Sequence, residues 1–493
     1  MSRLTLVPPA ELSTAETLVV VGRASRLLAE DVRRQLPALL PSRAWDDMIK
    51  RGGDGGDLGR VATTYTGGSP HKVVAIVLPE PCSRHNAPSR SLAIPALVQG
   101  AGTRGSTGYL CALDEPGHAF ATAIAIGRSH PTWAANGRLE RDLRIAFQCA
   151  DRSAGGIERV GGLERLSVAV EAARKAADLT DRPPDQLNCD GMVAEAEAIA
   201  RRHAGVTLTV LRSAELRAQG LVGLWSVGKT ALEEPALVIL EWSPPGAQRH
   251  HAWIGKGIVY DTGGLALKAK TSMPGMKTDM AGAAAVLAAF EAAVRLASPD
   301  RITAAIAVAE NAIGPGALRP DDIITLYSGR TVEVNNPDAE GRIVLADAAC
   351  WVVRNRLPDE LWTLATLTGS QAVTTGKRHA AIYATEEDIE RRAVAAGRAS
   401  GDPVHPLPYV PELWRREFAS PVADMKNSVK DRENAQSACA AQFIGNHLAA
   451  VSYTRPWCHV DMAAPAVSGG RGTGYGVGLL LTASGLGAPL PPA

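Results

Sequence analysis

The chain has 493 residues, with 52 Lys and Arg against 51 Asp and Glu and a formal net charge of +1. So even a balance gives no electrostatic grip on nucleic acid or an anionic membrane surface, and 46% apolar content excludes a disordered chain. The length exceeds what one core ordinarily serves, so two domains are expected.

Residues 1–11 do not read as a signal peptide, because Pro8, Pro9 and Glu11 interrupt any apolar run. No stretch of about 20 apolar residues is present, so no membrane span is expected. Residues 18–22 have the pattern of a short buried strand, 25–36 of a helix stopped by Pro37, and 71–79 of a strand. That alternation predicts an α/β domain over 1–162. Residues 163–179 are helical in period and Ala-rich, and Pro183 and Pro184 stop them, so a linker helix is expected over 163–182. A second domain over 183–493 follows. Its strand-like runs at 206–211, 236–242, 251–260, 302–309 and 361–367 flank an Ala-rich helix at 282–297. The fold class expected is α/β, with a mixed, largely parallel sheet between helices in the second domain.

Several local patterns have plain readings. Residues 223–230 spell the GxxxxGK[ST] phosphate loop, yet 214–219 upstream read as helix rather than strand and Pro235 follows closely, so nucleotide binding is rejected. The glycine run at 469–478 opens no βαβ unit and reads as a turn against a sheet. His250 and His251 precede a strand and are expected near the surface, whereas His459 is expected in a buried strand. Seven scattered cysteines with no CxxC pair point to reduced thiols and a cytoplasmic location.

The chemistry concentrates in four acids and three bases. Asp261 follows an apolar strand and precedes Thr262-Gly-Gly264, so it stands at a strand's C-terminal end, where open α/β sheets bind ligands. Asp279 precedes a helix. Pro337 biases Asn336 toward extended geometry, which would project Asp338 and Glu340 to one side before Gly341 turns the chain. Lys256, Lys268 and Arg342 lie among them. One Asp beside Gly is usually a turn residue, and one Lys beside an acid a surface pair of little energy; the joint pattern is what points further. Converging carboxylates repel unless cations lie between them, and an oxygen-rich set suits Zn²⁺, Mn²⁺ or Mg²⁺. Two ions suit the set better than one because carboxylates bridge, and such a pair activates water.

Asn336-Pro-Asp-Ala-Glu-Gly-Arg342 resembles the Asn-Thr-Asp-Ala-Glu-Gly-Arg signature of the leucyl aminopeptidase family of metallopeptidases. Gly255-Lys-Gly257, Asp261-Thr-Gly-Gly264, Lys268 and Asp279 match the family's upstream motif at the same spacings, and Leu364-Ala-Thr-Leu-Thr-Gly369 and Val422-Ala-Asp-Met-Lys-Asn427 fit as well. The similarity runs over residues 183–481. Pro337 and Cys82-Ser-Arg-His-Asn86 look more like the "probable aminopeptidase" branch found in animals. The resemblance implies a cytoplasmic, leucine-type exopeptidase that releases N-terminal residues from peptides by attack of water held between two divalent ions, Zn²⁺ or Mn²⁺ with Mg²⁺ a further candidate. It implies Lys256, Asp261, Asp279, Asp338 and Glu340 as metal ligands, with Asp261 and Glu340 bridging and Lys256 neutral. Lys268 would polarise the scissile carbonyl, and Arg342 would hold a bicarbonate acting as base. Met276, Leu367, Gly369 and Ala466 would meet the substrate; Ala466 stands where many relatives have Met, which implies a roomier first pocket. A homohexamer is implied. The alternative is a non-catalytic, nucleic-acid-binding or structural member of the same family, against which the even charge balance counts. Pro337 removes a backbone donor, and residues 433–438 lack the family's glycines, so the loop over the site is expected to differ.

Overall fold

The computed structural model describes residues 3–52, 56–137, 141–150, 157–158, 161–431 and 433–490. Two compact units are present. The first comprises Met1–Arg174, Ala395–Pro403 and Gly478–Ala493, and the second Lys175–Val394 and Val404–Val477. The division at 174/175 falls inside helix α1 (Gly162–Asp181), the segment expected to join the domains. Local patterning gives no sign that 395–403 and 478–493 group with the first unit, because both are long returns of the chain.

The first unit is built on a six-stranded sheet. Its strands are β1 (Arg3–Leu6), β2 (Thr17–Arg23), β3 (Arg60–Tyr65), β4 (Lys72–Leu78), β5 (Thr107–Leu113) and β6 (Asp142–Cys149), in the order β1-β6-β5-β2-β4-β3. All pairings are parallel except β3 with β4. The continuous apolar runs of β2, β4 and β5 fit strands covered on both faces. Residues 25–36 do not form the single helix expected. They make two one-turn helices, Ala24–Leu27 and Glu30–Arg33, separated by an extended Ala29. The buried Trp45 indole donates to the Leu27 carbonyl at 2.8 Å, taking an acceptor that a continuous helix would need.

The second unit holds an eight-stranded mixed sheet. Its members are β7 (Val206–Arg212), β8 (Ala236–Trp242), β9 (His250–Asp261), β10 (Arg301–Asn311), β13 (Glu360–Ala365), β14 (Ala380–Ala384), β15 (Val404–Pro406) and β17 (Trp457–Asp461), ordered β15-β14-β17-β13-β9-β10-β8-β7. A small side sheet joins β11 (Ile323–Thr325), β12 (Thr331–Glu333) and β16 (Met425–Lys426). The central strands β17, β13, β9 and β10 are mutually parallel. Their C-terminal ends, at Asp461, Ala365, Asp261 and Asn311, therefore gather at one edge. Helix α2 (Ala281–Arg295), Ala-rich as expected, lies against β9 and β13. A Cβ on Gly255 would fall 2.5 Å from the Ala283 Cα, and one on Gly282 would strike the Leu364 carbonyl, so glycine at both positions lets helix and sheet touch backbone to backbone. Helices α3 (Glu340–Arg356) and α4 (Gln436–Ala450) share a second apolar core with Ala252, Ile254 and Ile258 of β9, a cluster that contains no α2 residue.

His250 and His251 are buried rather than near the surface, because they open β9 instead of preceding it. His250 Nε2 meets the Thr303 hydroxyl at 2.8 Å, and His251 lies between Glu360 and Asp300. His459 is buried in β17, as expected, with Nδ1 2.9 Å from the Thr363 hydroxyl. Residues 223–228 lie in the helix Val222–Gly228, which excludes a phosphate loop there. The glycine run at 469–478 contributes the hairpin between Val467–Ser468 and Arg471–Gly472.

Candidate metal centre

Each charged residue reaches the sheet edge for a local reason. Lys256 sits inside β9, and Asp261 ends that strand. Asp279 follows the one-turn helix Met276–Thr278 and leads into α2. Residues 336–342 are not extended as expected. The Asn336 side chain accepts from the Asp338 N–H at 3.0 Å, forming a tight turn, and Glu340 opens α3. Glu340 and Arg342 thus occupy a first helical turn, whose positive dipole end favours the carboxylate. Pro337 lacks a donor but its carbonyl accepts from Asn311 Nδ2 at 3.2 Å, which anchors the turn.

The geometry is one of interleaved charges. Lys256 Nζ stands 2.7 Å from Asp279 Oδ2 and 2.9 Å from Glu340 Oε1. Lys268 Nζ stands 2.7 Å from Asp261 Oδ2 and 2.5 Å from Asp338 Oδ1. Ligand oxygens of Asp261, Asp338 and Glu340 all lie within 4.8 Å of one another. Burial opposes the charged form of both lysines, yet the neighbouring carboxylates hold each ammonium well above the usual lysine range. Burial, with the negative charge of Asp261 added, pushes the carboxyls of Asp279, Asp338 and Glu340 up. Glu340 Oε2 is buried with no hydrogen-bond partner. Arg342 is driven down to about 10 by burial; its Nη1 donates to the Asn427 carbonyl at 3.1 Å, and its Nε has no partner.

These residues line a cavity of about 670 Å³. Lys256, Asp261, Lys268, Asp279, Asp338, Glu340 and Arg342 all reach it, as do Met276, Leu367 and Gly369. Ala466 does not: it is buried, and Ala463 and Ala464 form that wall instead. The 433–438 segment lies beside this cavity. Ala435 adopts φ 41°, a left-handed conformation in which glycine is at ease and alanine is strained, and the next residue, Gln436, lines the cavity.

Four supporting residues were given no role by the sequence reading, although Thr366 and Asn427 lie within the matched stretches 364–369 and 422–427. Asn311 Nδ2 donates to Asp261 Oδ1 at 2.8 Å. The Thr366 hydroxyl donates to Asp279 Oδ1 at 2.8 Å, and its carbonyl accepts from Lys256 Nζ at 3.1 Å. Asn427 Oδ1 accepts from the N–H groups of Asn335 and Asn336, steadying the acidic turn. Asp461 receives several donors from the loop after β13. For Asn311 and Asp461 the only hint was position, at the ends of apolar strands.

The donor set fits divalent cations. Three carboxylates share one point of closest approach, a fourth lies beside them, and a buried glutamate oxygen lacks a donor. Buried acids in such proximity stay charged only against cations. No helix is long and apolar enough to cross a membrane among the described residues.

Comparison with known proteins agrees with this chemistry. The model of the cytosol aminopeptidase family, catalytic domain, matches residues 174–481. The chain is 46% identical over 409 residues to the mouse "Probable aminopeptidase NPEPL1", covering 82% of this chain and 78% of the mouse protein. The solved structure of Caenorhabditis elegans leucine aminopeptidase superposes with a TM-score of 0.89 at 32% identity, covering 98% of each chain. The bottromycin maturation enzyme BotP, solved in complex with Mn, gives a TM-score of 0.78 at 27% identity over 95% of this chain and 99% of its own. An acidic, lysine-studded sheet edge, a match over most of the second unit and likeness along nearly the whole chain lead to one conclusion: the protein belongs to the cytosol aminopeptidase family and is a metal-dependent exopeptidase.

Proposed function

We propose that this cavity releases leucine-type N-terminal residues from peptides, with Lys256, Asp261, Asp279, Asp338 and Glu340 holding two divalent ions, Zn²⁺ or Mn²⁺ or, as a further candidate, Mg²⁺. The observation that carries the reading is the convergence of buried Asp261 and Glu340 with half-buried Asp338, beside buried Asp279, at the edge where the parallel strands end. When bound, the ions supply Lewis acidity toward a peptide carbonyl and water, and a bicarbonate against Arg342 supplies a base. Lys256 would join the ligands as a neutral amine, its proton displaced by the incoming positive charge. Lys268, whose ammonium the surrounding acids favour, donates to the carbonyl oxygen as negative charge grows there. Arg342 presents an unpartnered guanidinium N–H to an anion. Met276, Leu367, Gly369, Ala463 and Ala464 bound the space for the first residue. The Asp279 end of the cavity receives the free α-amine, which restricts cleavage to chain ends.

A homohexamer and a cytoplasmic location accompany this reading by resemblance. The non-catalytic alternative has no observation in its favour, since every charged residue of the motif is retained in the cavity. The test is metal analysis together with leucine anilide hydrolysis after loading with Zn²⁺ or Mn²⁺. The expected result is two ions per chain and turnover, with Asp338→Ala losing at least one ion and nearly all activity. A wild type that binds no metal, or is inactive with both, defeats the reading.

A further inference from the structure

Asp461 ends β17 with no exposed surface, and its carboxylate accepts five hydrogen bonds. Oδ1 accepts from the N–H groups of Leu367 at 3.1 Å, Thr368 at 3.3 Å and Ala463 at 3.4 Å. Oδ2 accepts from the Thr368 hydroxyl at 2.6 Å and the Ser437 hydroxyl at 2.8 Å. The Thr368 oxygen already accepts from Ser370 Oγ and the Gln371 N–H, so both its lone pairs are used and its own proton must go to Asp461. Burial pushes this carboxyl up, and the donors at both of its oxygens oppose that and favour the ionised form.

A buried Asp at a strand end ordinarily ties up its own turn. Here only the bond from Ala463 is local. The other donors come from the loop after β13 and from the first turn of α4, two elements far away in sequence. Leu367, Thr368 and Ala463 line the cavity, and Ser437 follows Gln436, which also lines it. The same loop carries Thr366, which touches both Lys256 and Asp279. One carboxylate thus joins three walls of the cavity to its charged floor.

We propose that Asp461 is a positioning residue for peptide cleavage: it fixes the 366–369 loop against α4 and Ala463, so that the backbone meeting the substrate stays in register with Lys256 and Asp279. This rests on the aminopeptidase reading above. Displacements of about 1 Å at such a loop cost roughly 100-fold in rate.

The test compares metal-loaded wild type with Asp461→Asn, Ser437→Ala and Asp347→Asn. Asparagine keeps the shape but turns an –NH₂ toward a donor. Asp347 is an equally buried acid whose oxygens accept from the Leu224 and Tyr327 N–H groups, outside the cavity. Asp461→Asn should keep its metal content, lose about 100-fold in kcat, and exchange the Leu367 and Thr368 amide hydrogens about 10-fold faster or more. Ser437→Ala, which removes one bond, should move kcat and loop exchange the same way by about 3- to 10-fold. Asp347→Asn should lower stability and leave kcat unchanged. Should Asp461→Asn fail to fold, Ser437→Ala decides by itself. Unchanged loop exchange, or kcat/KM within about threefold of wild type in both cavity variants, overturns the proposal alone when the wild type is active. An inactive wild type overturns the aminopeptidase reading and the proposal together.

Discussion

At the scale of single residues, Lys268 has the most separable role. Its ammonium lies between Asp261 and Asp338, and the charges of those acids keep it protonated. Lys268→Met removes the proposed donor to the developing oxyanion while keeping the length of the side chain. Kcat should fall about 100- to 1,000-fold, with KM changed much less. Comparable kcat in the variant would assign the carbonyl to another donor. The residues of the motif were legible because charge at a strand end has few structural uses. Asp461 and Asn311 were not legible, because a buried polar residue in an apolar run looks the same whether it serves its own turn or a distant loop. Ala466 shows the converse: sequence likeness suggested a wall residue, but Ala463 and Ala464 line the cavity and Ala466 is buried without reaching it.

At the scale of elements, the decisive contact is α2 on the sheet. Gly255 and Gly282 allow it, and the approach brings Asp279, just before α2, within 2.7 Å of Lys256, one residue after Gly255. A methyl at position 282 has nowhere to go but against the Leu364 carbonyl. Gly282→Ala should therefore destabilise the fold by about 1–3 kcal/mol by overpacking and weaken metal binding as Asp279 moves away. Urea unfolding and metal titration check both parts, and a variant with wild-type values would show that the helix shifts freely. The sequence pattern located α2, β9 and β13 within a few residues, since their apolar periods are strong. It could not find the break at Ala29, where a tryptophan from a later helix competes for one carbonyl, nor the return of 395–403 to the first unit. Those depend on partners remote in the chain.

At the scale of the whole molecule, acid stability is set partly by a second charged group. Glu360 opens β13, and it meets His251, the Trp362 indole and Arg392. Burial works against its charge, but the hydrogen bond from His251 and the charge of Arg392 prevail and hold it at about 2, below the ordinary 4.5. The folded value lies below the unfolded one, so the stabilisation is complete above pH 4.5 and disappears as pH falls toward 2. Its size is on the order of 3 kcal/mol. Glu360→Gln should lower unfolding free energy at pH 7, and the gap to wild type should close between pH 4.5 and 2; a gap constant with pH would place the effect elsewhere. His251 pairs with Glu360 across β9 and β13, near the start of each strand, while Lys256 and Asp261, two of the proposed metal ligands, occupy the far half and end of β9, and the loop after β13 carries Thr366, which meets Lys256 and Asp279. One strand pair is thus clamped at its tail and reactive at its tip. Durability in acid and speed of turnover are written in different letters of the same two strands, so breeding a hardier protein need not slow it.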